Sequence, residues 1–432
     1  MSITILGLGH GDPRALTLEA NDALVGAHEI FLRTREHPTV AALPKHLRIH
    51  SFDSLYEKQN DFDQIYSAIA DEIIARGQAD DVLYAVPGHP LFAEISVQKI
   101  LTQAREKNIP TRIIAGVSFV DAVCAALALD PLARGLQIAD ATDLARQHFP
   151  HFNTDQPALI GQVYSRAVAS DCKLTLMLLY PPDHIVTRVN AAGTADQKID
   201  TMPLAELDRS DEFGLLTTVF VPPLAMPSSM SALGEIVAHL RAPNGCPWDR
   251  EQTHQSLRKD FLEECYEVLE TIDVDDLPHL QEELGDLLLH IFFQAQIAAE
   301  SGEFLLSDVI AGIAAKLVRR HPHVFGDVKV NGTDEILANW EKIKQSEKGN
   351  QPTTKPSLPR GLPALMRAQK IAKRSKIAGN LAEAQASLAK LPRARNRDKA
   401  IGEILFALAA YASEKHIDAE SALRSAANRK IG

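Results

Sequence analysis

FLEECYEVLE (261–270) and EELGDLLLHIFFQ (282–294) set Glu263, Glu264, Glu267, Glu283 and Asp286 among apolar residues that recur at helical spacing. At 3.6 residues per turn, Glu263 and Glu267 share a helix face, and Glu264 and Glu267 nearly do. Glu283 and Asp286 stand one turn apart in the same way. Like charges at these spacings cost helix stability. The stretch therefore reads as two neighbouring helices whose acids tolerate one another because a cation sits between them. Oxygen-only ligands suit a hard ion, Mg2+ or Mn2+. The competing reading is a solvated acidic face served by lysines.

Working outward, the region from 228 to 346 is helical. Met230, Leu233, Ile236, Val237 and Leu240 mark an amphipathic helix, and further helices are expected near 256–271, 276–300, 305–320 and 333–346. GCPWDREQTH (245–254) makes a compact turn before the first acidic helix. KLVRRHPHVFGD (316–327) ends a helix with Lys316, Arg319 and Arg320, and Pro322, between His321 and His323, should stop it. Trp340 and Lys344 lie one turn apart on the next helix. Carboxylates for a metal followed by cations for phosphate suit cleavage of a phosphoanhydride.

GCPWDREQTHQSL, EECYE, ELGDLL, KLVRRHPHVFGD and NWEKIK, in this order, resemble the MazG family of all-α nucleoside triphosphate pyrophosphohydrolases. The resemblance implies the dimeric dUTPase type of fold and the reaction NTP + H2O → NMP + diphosphate. It implies Glu263, Glu264, Glu267 and Asp286 as metal ligands, with Glu283 a ligand or an orienter of water. It also implies Lys316, Arg319, Arg320 and Lys344 as phosphate contacts and Trp248 or Trp340 beside the base. Either tryptophan could instead be core, and the two histidines fit capping or core roles. A homodimer is expected, because Leu287, Leu288, Ile291 and Phe292 exceed what one helix pair buries.

Residues 1–222 alternate strand and helix signals, which argues for α/β layers with a mostly parallel sheet. The strands are expected at ITILGLG (3–9), HEIFLRT, DDVLYAVPG (80–88), TRIIAGVS (111–118), PALIGQVYS and LTLMLLY (174–180). LGLGHGDPRALT (6–17) puts Gly7, Gly9, Gly11 and Asp12 in a strand-to-helix loop. VPGHPLFAE (86–94) brings Pro87, Gly88, His89 and Pro90 to a strand end, and AGVSFVDAVCAALALD (115–130) brings Gly116, Val117 and Ser118. Glycine lets backbone approach a ligand closely, and open α/β sheets bind ligands at strand ends. The spacing does not fit GxGxxG. Asp12 could as well cap a helix.

The three loops resemble the tetrapyrrole methylases, class III S-adenosylmethionine methyltransferases. That resemblance implies two α/β lobes with S-adenosylmethionine in the cleft between them, held by the loop residues just named. The order, methylase-like then MazG-like, resembles the YabN-type bacterial fusion proteins. Three functions stay open: pyrophosphohydrolase, methyltransferase, or an α/β sensor that regulates the hydrolase.

The 432 residues predict a multidomain chain, with boundaries at 1–222, 228–347, a linker at 348–363 and a helical segment at 364–432. VPPLAMPSSM (221–230) is a proline-rich connector. The last segment resembles the start of a second MazG repeat that has lost its acids: LAEAQASLAK replaces EExxE, and Glu403 takes the aspartate position. Four cysteines without a CxxC pair, and no signal peptide, predict a reducing cytoplasm. LTLMLLY is too short to cross a bilayer, and a net charge of -11 argues against nonspecific nucleic-acid binding.

Overall fold

The computed structural model describes residues 1–58, 61–347, 358–359 and 361–431. Most of the expected linker lies outside the described residues. The chain divides into two units, Met1–Val309 and Ile310–Gly432.

The first unit begins with a five-stranded, all-parallel sheet of order β3(Arg48–Ser51), β2(Glu29–Leu32), β4(Val82–Val86), β1(Ile3–Gly7), β5(Thr111–Ile114). Both faces of a parallel sheet must be covered. Ile3, Ile5, Tyr84 and Val86 pack under helices Phe62–Ala79 and Ile95–Glu106. Leu6, Leu8 and Ala85 pack against helix Leu18–Gly26 on the other face.

A second sheet has the order β6(Gln137–Asp140), β7(Ala158–Gly161), β10(Thr217–Val221), β8(Ile185–Asn190), β9(Lys198–Pro203). Only β6 and β7 run parallel; the other three pairings are antiparallel. Residues 191–197 are too few for a crossover helix, so β8 and β9 pair as neighbours in opposite directions.

LTLMLLY is not a strand. Its first half completes helix Arg166–Leu176, and Met177 N and Tyr180 N continue the turn to Lys173 O and Leu176 O. Cys172, Leu176 and Tyr180 are buried while Leu174 and Leu178 are exposed, which is a period of four rather than two. A continuous apolar run does not by itself distinguish the two.

The helical part opens at a clamp. The Asp155 carboxylate accepts from Ser228 N at 2.8 Å, Ser229 N at 3.3 Å and Ser229 Oγ. Thr154 Oγ1 bonds Ser228 Oγ at 2.8 Å, and Asn153 Nδ2 donates to Ser231 Oγ at 2.9 Å. Ser229 is also the N-cap of helix Met230–Arg241. That helix packs Val237 onto Phe292 and Phe293 of helix Leu277–Glu300. Phe292 and Leu288 are thus core within the chain; Ile291 remains 40% exposed.

The second unit holds the end of helix Leu306–Arg320, then Pro322–Phe325 and Thr333–Ser346, and the helices Ala364–Ser375, Leu381–Lys390, Arg397–Glu414 and Ala419–Ile431. Helix Leu306–Arg320 stops two residues before Pro322, as the ring demands. Among the described residues, no helix is long and apolar enough to cross a membrane.

Candidate active site

Helices Arg258–Val274 and Leu277–Glu300 form a hairpin whose turn is two aspartates. Asp275 takes the left-handed conformation at φ 58, and Asp276 caps the second helix through His279 N at 3.3 Å. This short turn sets the acids of both helices face to face.

Glu264, Glu267 and Glu283 each place an oxygen so that all three lie within 4.8 Å of one another. The electrostatics record the crowding. Partial burial, then the hydrogen bond and repulsion from Glu267, then Asp286 and Glu283, raise the Glu264 carboxyl to about 7. Burial, then Glu267 and Asp286, push Glu283 upward as well. Asp286 is half-buried beside them. Glu263 lies outside this group; it is exposed, with Lys259 Nζ at 3.9 Å. A set of three carboxylates with a fourth in range, all oxygen donors and mutually repelling, fits a hard divalent cation.

The GCPWD turn is held from within. Arg241, 6% exposed, forms a bidentate pair with Glu300 at 2.7 and 2.8 Å and donates to the carbonyls of Asp249 at 2.6 Å and Gln252 at 3.2 Å. Gly245 is obligatory, since a Cβ there would stand 2.3 Å from the carbonyl oxygens of His239 and Leu240. Trp248 projects from this turn, 63% exposed. Sequence reasoning missed Arg241 and Glu300. An arginine in a last helical turn ordinarily reads as a partner for the helix dipole, so nothing marked it. Arg241→Ala would take the guanidinium from two carbonyls and from Glu300, which would keep only Gln296 Nε2 at 3.1 Å. It should cost about 2–3 kcal/mol of stability in urea denaturation.

The basic residues belong to the second unit. Arg319 and Arg320 both grip the Glu347 carboxylate, at 2.7 and 2.5 Å, and hold it down at about 2. Arg320 and Lys344 both stand over the Trp340 ring, 5.4 and 4.9 Å from its centroid. Lys316 is exposed. His321 Nδ1 bonds Leu317 O at 2.7 Å, a helix-end role.

In the α/β part the three loops meet. Gly9 and Gly88 exchange backbone hydrogen bonds of 3.2 and 2.8 Å. A Cβ on Gly7 would lie 2.5 Å from Gly88 O and 2.7 Å from Gly116 N. Gly9, Gly11 and Gly88 have φ of 72, 120 and 65. Asp12 is committed to a cap: it accepts from Arg14 N at 2.9 Å and pairs with the Arg14 guanidinium at 2.7 Å, which lowers it to about 2. Ser118 caps helix Phe119–Leu127 in a capping box with Asp121, and His89 Nδ1 accepts from Leu91 N at 3.1 Å. Pro90 is buried, while Pro87 and Val117 are half-buried.

The second lobe reaches these loops. Gln162 Nε2 lies 3.4 Å from Ala93 O, and a Cβ on Gly193 would lie 2.6 Å from His10 Cε1. Ala93, Gln162 and Ala191, all at this junction, hold positive φ of 54, 60 and 49. Non-glycine residues tolerate that conformation mainly where surrounding structure enforces it, a pattern common at ligand clamps.

Two family models match the chain: tetrapyrrole (corrin/porphyrin) methylases over residues 2–208 and the MazG nucleotide pyrophosphohydrolase domain over 252–325. YabN of Bacillus subtilis is 43% identical over 86% of this chain and 76% of its own length. The nucleoside triphosphate pyrophosphohydrolase of Escherichia coli K12 is 51% identical over 32% of this chain, which spans 54% of that relative. Uroporphyrin-III-C-methyltransferase of Thermus thermophilus superposes on 51% of this chain and 91% of its own, at 21% identity and a TM-score of 0.41. With both domain models and a relative matched over three quarters of its length in agreement, the chain belongs to the YabN family, joining a tetrapyrrole methylase-type domain to a MazG nucleotide pyrophosphohydrolase domain.

Proposed function

We propose that the helical domain, taken as 228–347, is a Mg2+-dependent nucleoside triphosphate pyrophosphohydrolase, with Mn2+ as the alternative ion. The observation that carries this is the trio Glu264, Glu267 and Glu283 across the helical hairpin. These three and Asp286 would hold the ion, and Glu263 would join them only through a change of rotamer. A bound divalent ion would neutralise phosphate charge and lower the pKa of the attacking water. Glu283 would keep that water in line. The water oxygen bonds to phosphorus as the anhydride P–O bond breaks, leaving NMP and diphosphate. Arg319, Arg320, Lys316 and Lys344 would take the phosphates once Glu347 yields the two arginines, and Trp248 or Trp340 would flank the base. A panel of NTPs and dNTPs, with and without Mg2+, should release NMP and diphosphate; orthophosphate as the sole product would refute the reading.

The crowded acids also predict a pH signature. Glu264 sits at about 7 against an ordinary value of 4.5, so the folded chain binds the proton more tightly than the unfolded one. Metal-free stability should therefore fall as pH rises between those values and level off above them. Mg2+ at about 100 times its Kd should add about 2.7 kcal/mol at neutral pH and flatten that slope. Thermal unfolding across pH, with and without Mg2+, checks both.

For the α/β domain, taken as 1–222, we infer S-adenosylmethionine binding, supported by the backbone convergence at Gly7, Gly88 and Gly116. Calorimetric titration with S-adenosylmethionine tests it; no heat at millimolar cofactor would reduce the domain to a scaffold. The further reading is a cytoplasmic homodimer assembled through the helical domain, with 364–432 a degenerate repeat used in packing.

A further inference from the structure

The loop that carries Pro87, Gly88, His89 and Pro90 is pinned at both ends. At its start Gly88 is knit to Gly9. At its end stands Glu94, 8% exposed, which precedes helix Ile95–Glu106. An acidic side chain in that place ordinarily serves the free N–H groups of the helix. The Glu94 side chain makes no such bond. Its Oε1 lies instead 3.1 Å from Nε of Arg33, the residue after β2, and both side chains are largely buried. Arg33 is fixed in turn. Its backbone N donates to Ala85 O of β4 at 3.0 Å, and its Nη1 donates to Tyr56 Oη at 3.3 Å. Nε makes no hydrogen bond, so charge rather than alignment joins the pair.

A buried ion pair is a poor source of stability, because taking both charges out of water can cost more than their attraction returns. Apolar side chains of similar volume would fill the space without that loss. What the pair supplies is placement. Between Gly88 and Glu94 the loop folds on itself. His89 Nδ1 accepts from Leu91 N at 3.1 Å, Phe92 N donates to His89 O at 3.0 Å, and the His89 and Phe92 rings meet edge to face at 5.5 Å. Its last residue, Ala93, holds φ 54, and its carbonyl lies 3.4 Å from Gln162 Nε2 of the second lobe. A left-handed alanine persists where the surrounding structure holds it from both sides. Gly88 anchors one side, and Glu94 anchors the other.

We propose that Arg33 and Glu94 are positioning residues: their buried pair sets loop 87–93 for S-adenosylmethionine and holds Ala93 against the second lobe. They act through the loop, not by contact with the ligand. This rests on reading the α/β cleft as the cofactor site, and it names a charged pair on which that site depends. Removing the pair should leave the sheet intact and loosen the loop alone.

The test uses the full chain and the double variant Arg33→Met with Glu94→Leu, which removes both charges and keeps the bulk. Its urea midpoint should equal or exceed the parent's, while Glu94→Leu alone, which strands the arginine, should lower it. Hydrogen exchange at residues 88–93 of the double variant should quicken about tenfold or more, with β1 and β4 at parent rates. Calorimetry should show S-adenosylmethionine held about tenfold more weakly. Glu94→Gln, isosteric and uncharged, should move exchange and affinity in the same directions, and it stands in if the double variant fails to fold. Parent-like exchange in the loop overturns the proposal, as does parent-like affinity in the double variant. Exchange that rises throughout the domain also overturns it, since the pair is then ordinary packing. If the parent itself takes no cofactor, the cofactor reading falls, and exchange at 88–93 alone decides whether the pair holds the loop.

Discussion

Glu267→Gln is expected to cut Mg2+-dependent diphosphate release on the order of 10²–10³-fold, the scale seen when one preorganised charge-stabilising group is lost. Glu267 is the choice because it acts on both Glu264 and Glu283 more strongly than Asp286 does. The loss should appear in kcat rather than as unfolding. Removing one of several crowded negative charges relieves repulsion, so the metal-free variant should be at least as stable as the parent. Gain of stability with loss of turnover is a combination that a merely structural acid would not give. Glu263→Gln supplies the contrast: its carboxylate stands outside the trio beside Lys259, and the variant should lose far less. Equal losses in the two variants would mean that the ion recruits Glu263 and that the trio is not the ligand set.

The second large effect is expected at a glycine. Gly116→Ala would place a methyl 2.2 Å from Gly88 O and 2.9 Å from two Gly7 backbone atoms. Backbone cannot move aside as a side-chain tip can, so the three strand ends must separate. The cost should be about 3 kcal/mol or more, at the upper end of overpacking penalties, and S-adenosylmethionine binding should go with it. Gly26→Ala is the matched control. It ends a helix with nothing within 4 Å of the added methyl, so it should be neutral or stabilise by a few tenths up to about 1 kcal/mol. Urea denaturation of both variants reads the difference directly.

The helical hairpin was legible because its signals are local: apolar spacing, acids one turn apart, and a proline that stops the basic helix. Which acid turns inward is not local. Glu263 and Glu264 are adjacent, and their different fates depend on the rotation of one helix against the other, which spacing alone leaves open. LTLMLLY misread for a related reason, since its alternate exposure is set by the second sheet against which Leu176 and Tyr180 pack. The glycine loops were visible as glycines, yet their mutual contact joins residues about 30 to 110 positions apart and has no signature in any one of them. Arg241 stayed hidden because its partners, two carbonyls and Glu300, depend on how the turn is folded back.

The grip of Asp155 on Ser228 and Ser229 bears on how the two domains can be separated by gene dissection. A cut placed at 225 would strip both oxygens of that aspartate of their donors on one side. On the other, the serine that starts the first long helix of the hydrolase would have its hydroxyl returned to water. Each half so liberated would carry a wound at its seam. A fair comparison of isolated halves should first repair it, with Asp155→Asn on the methylase-type side.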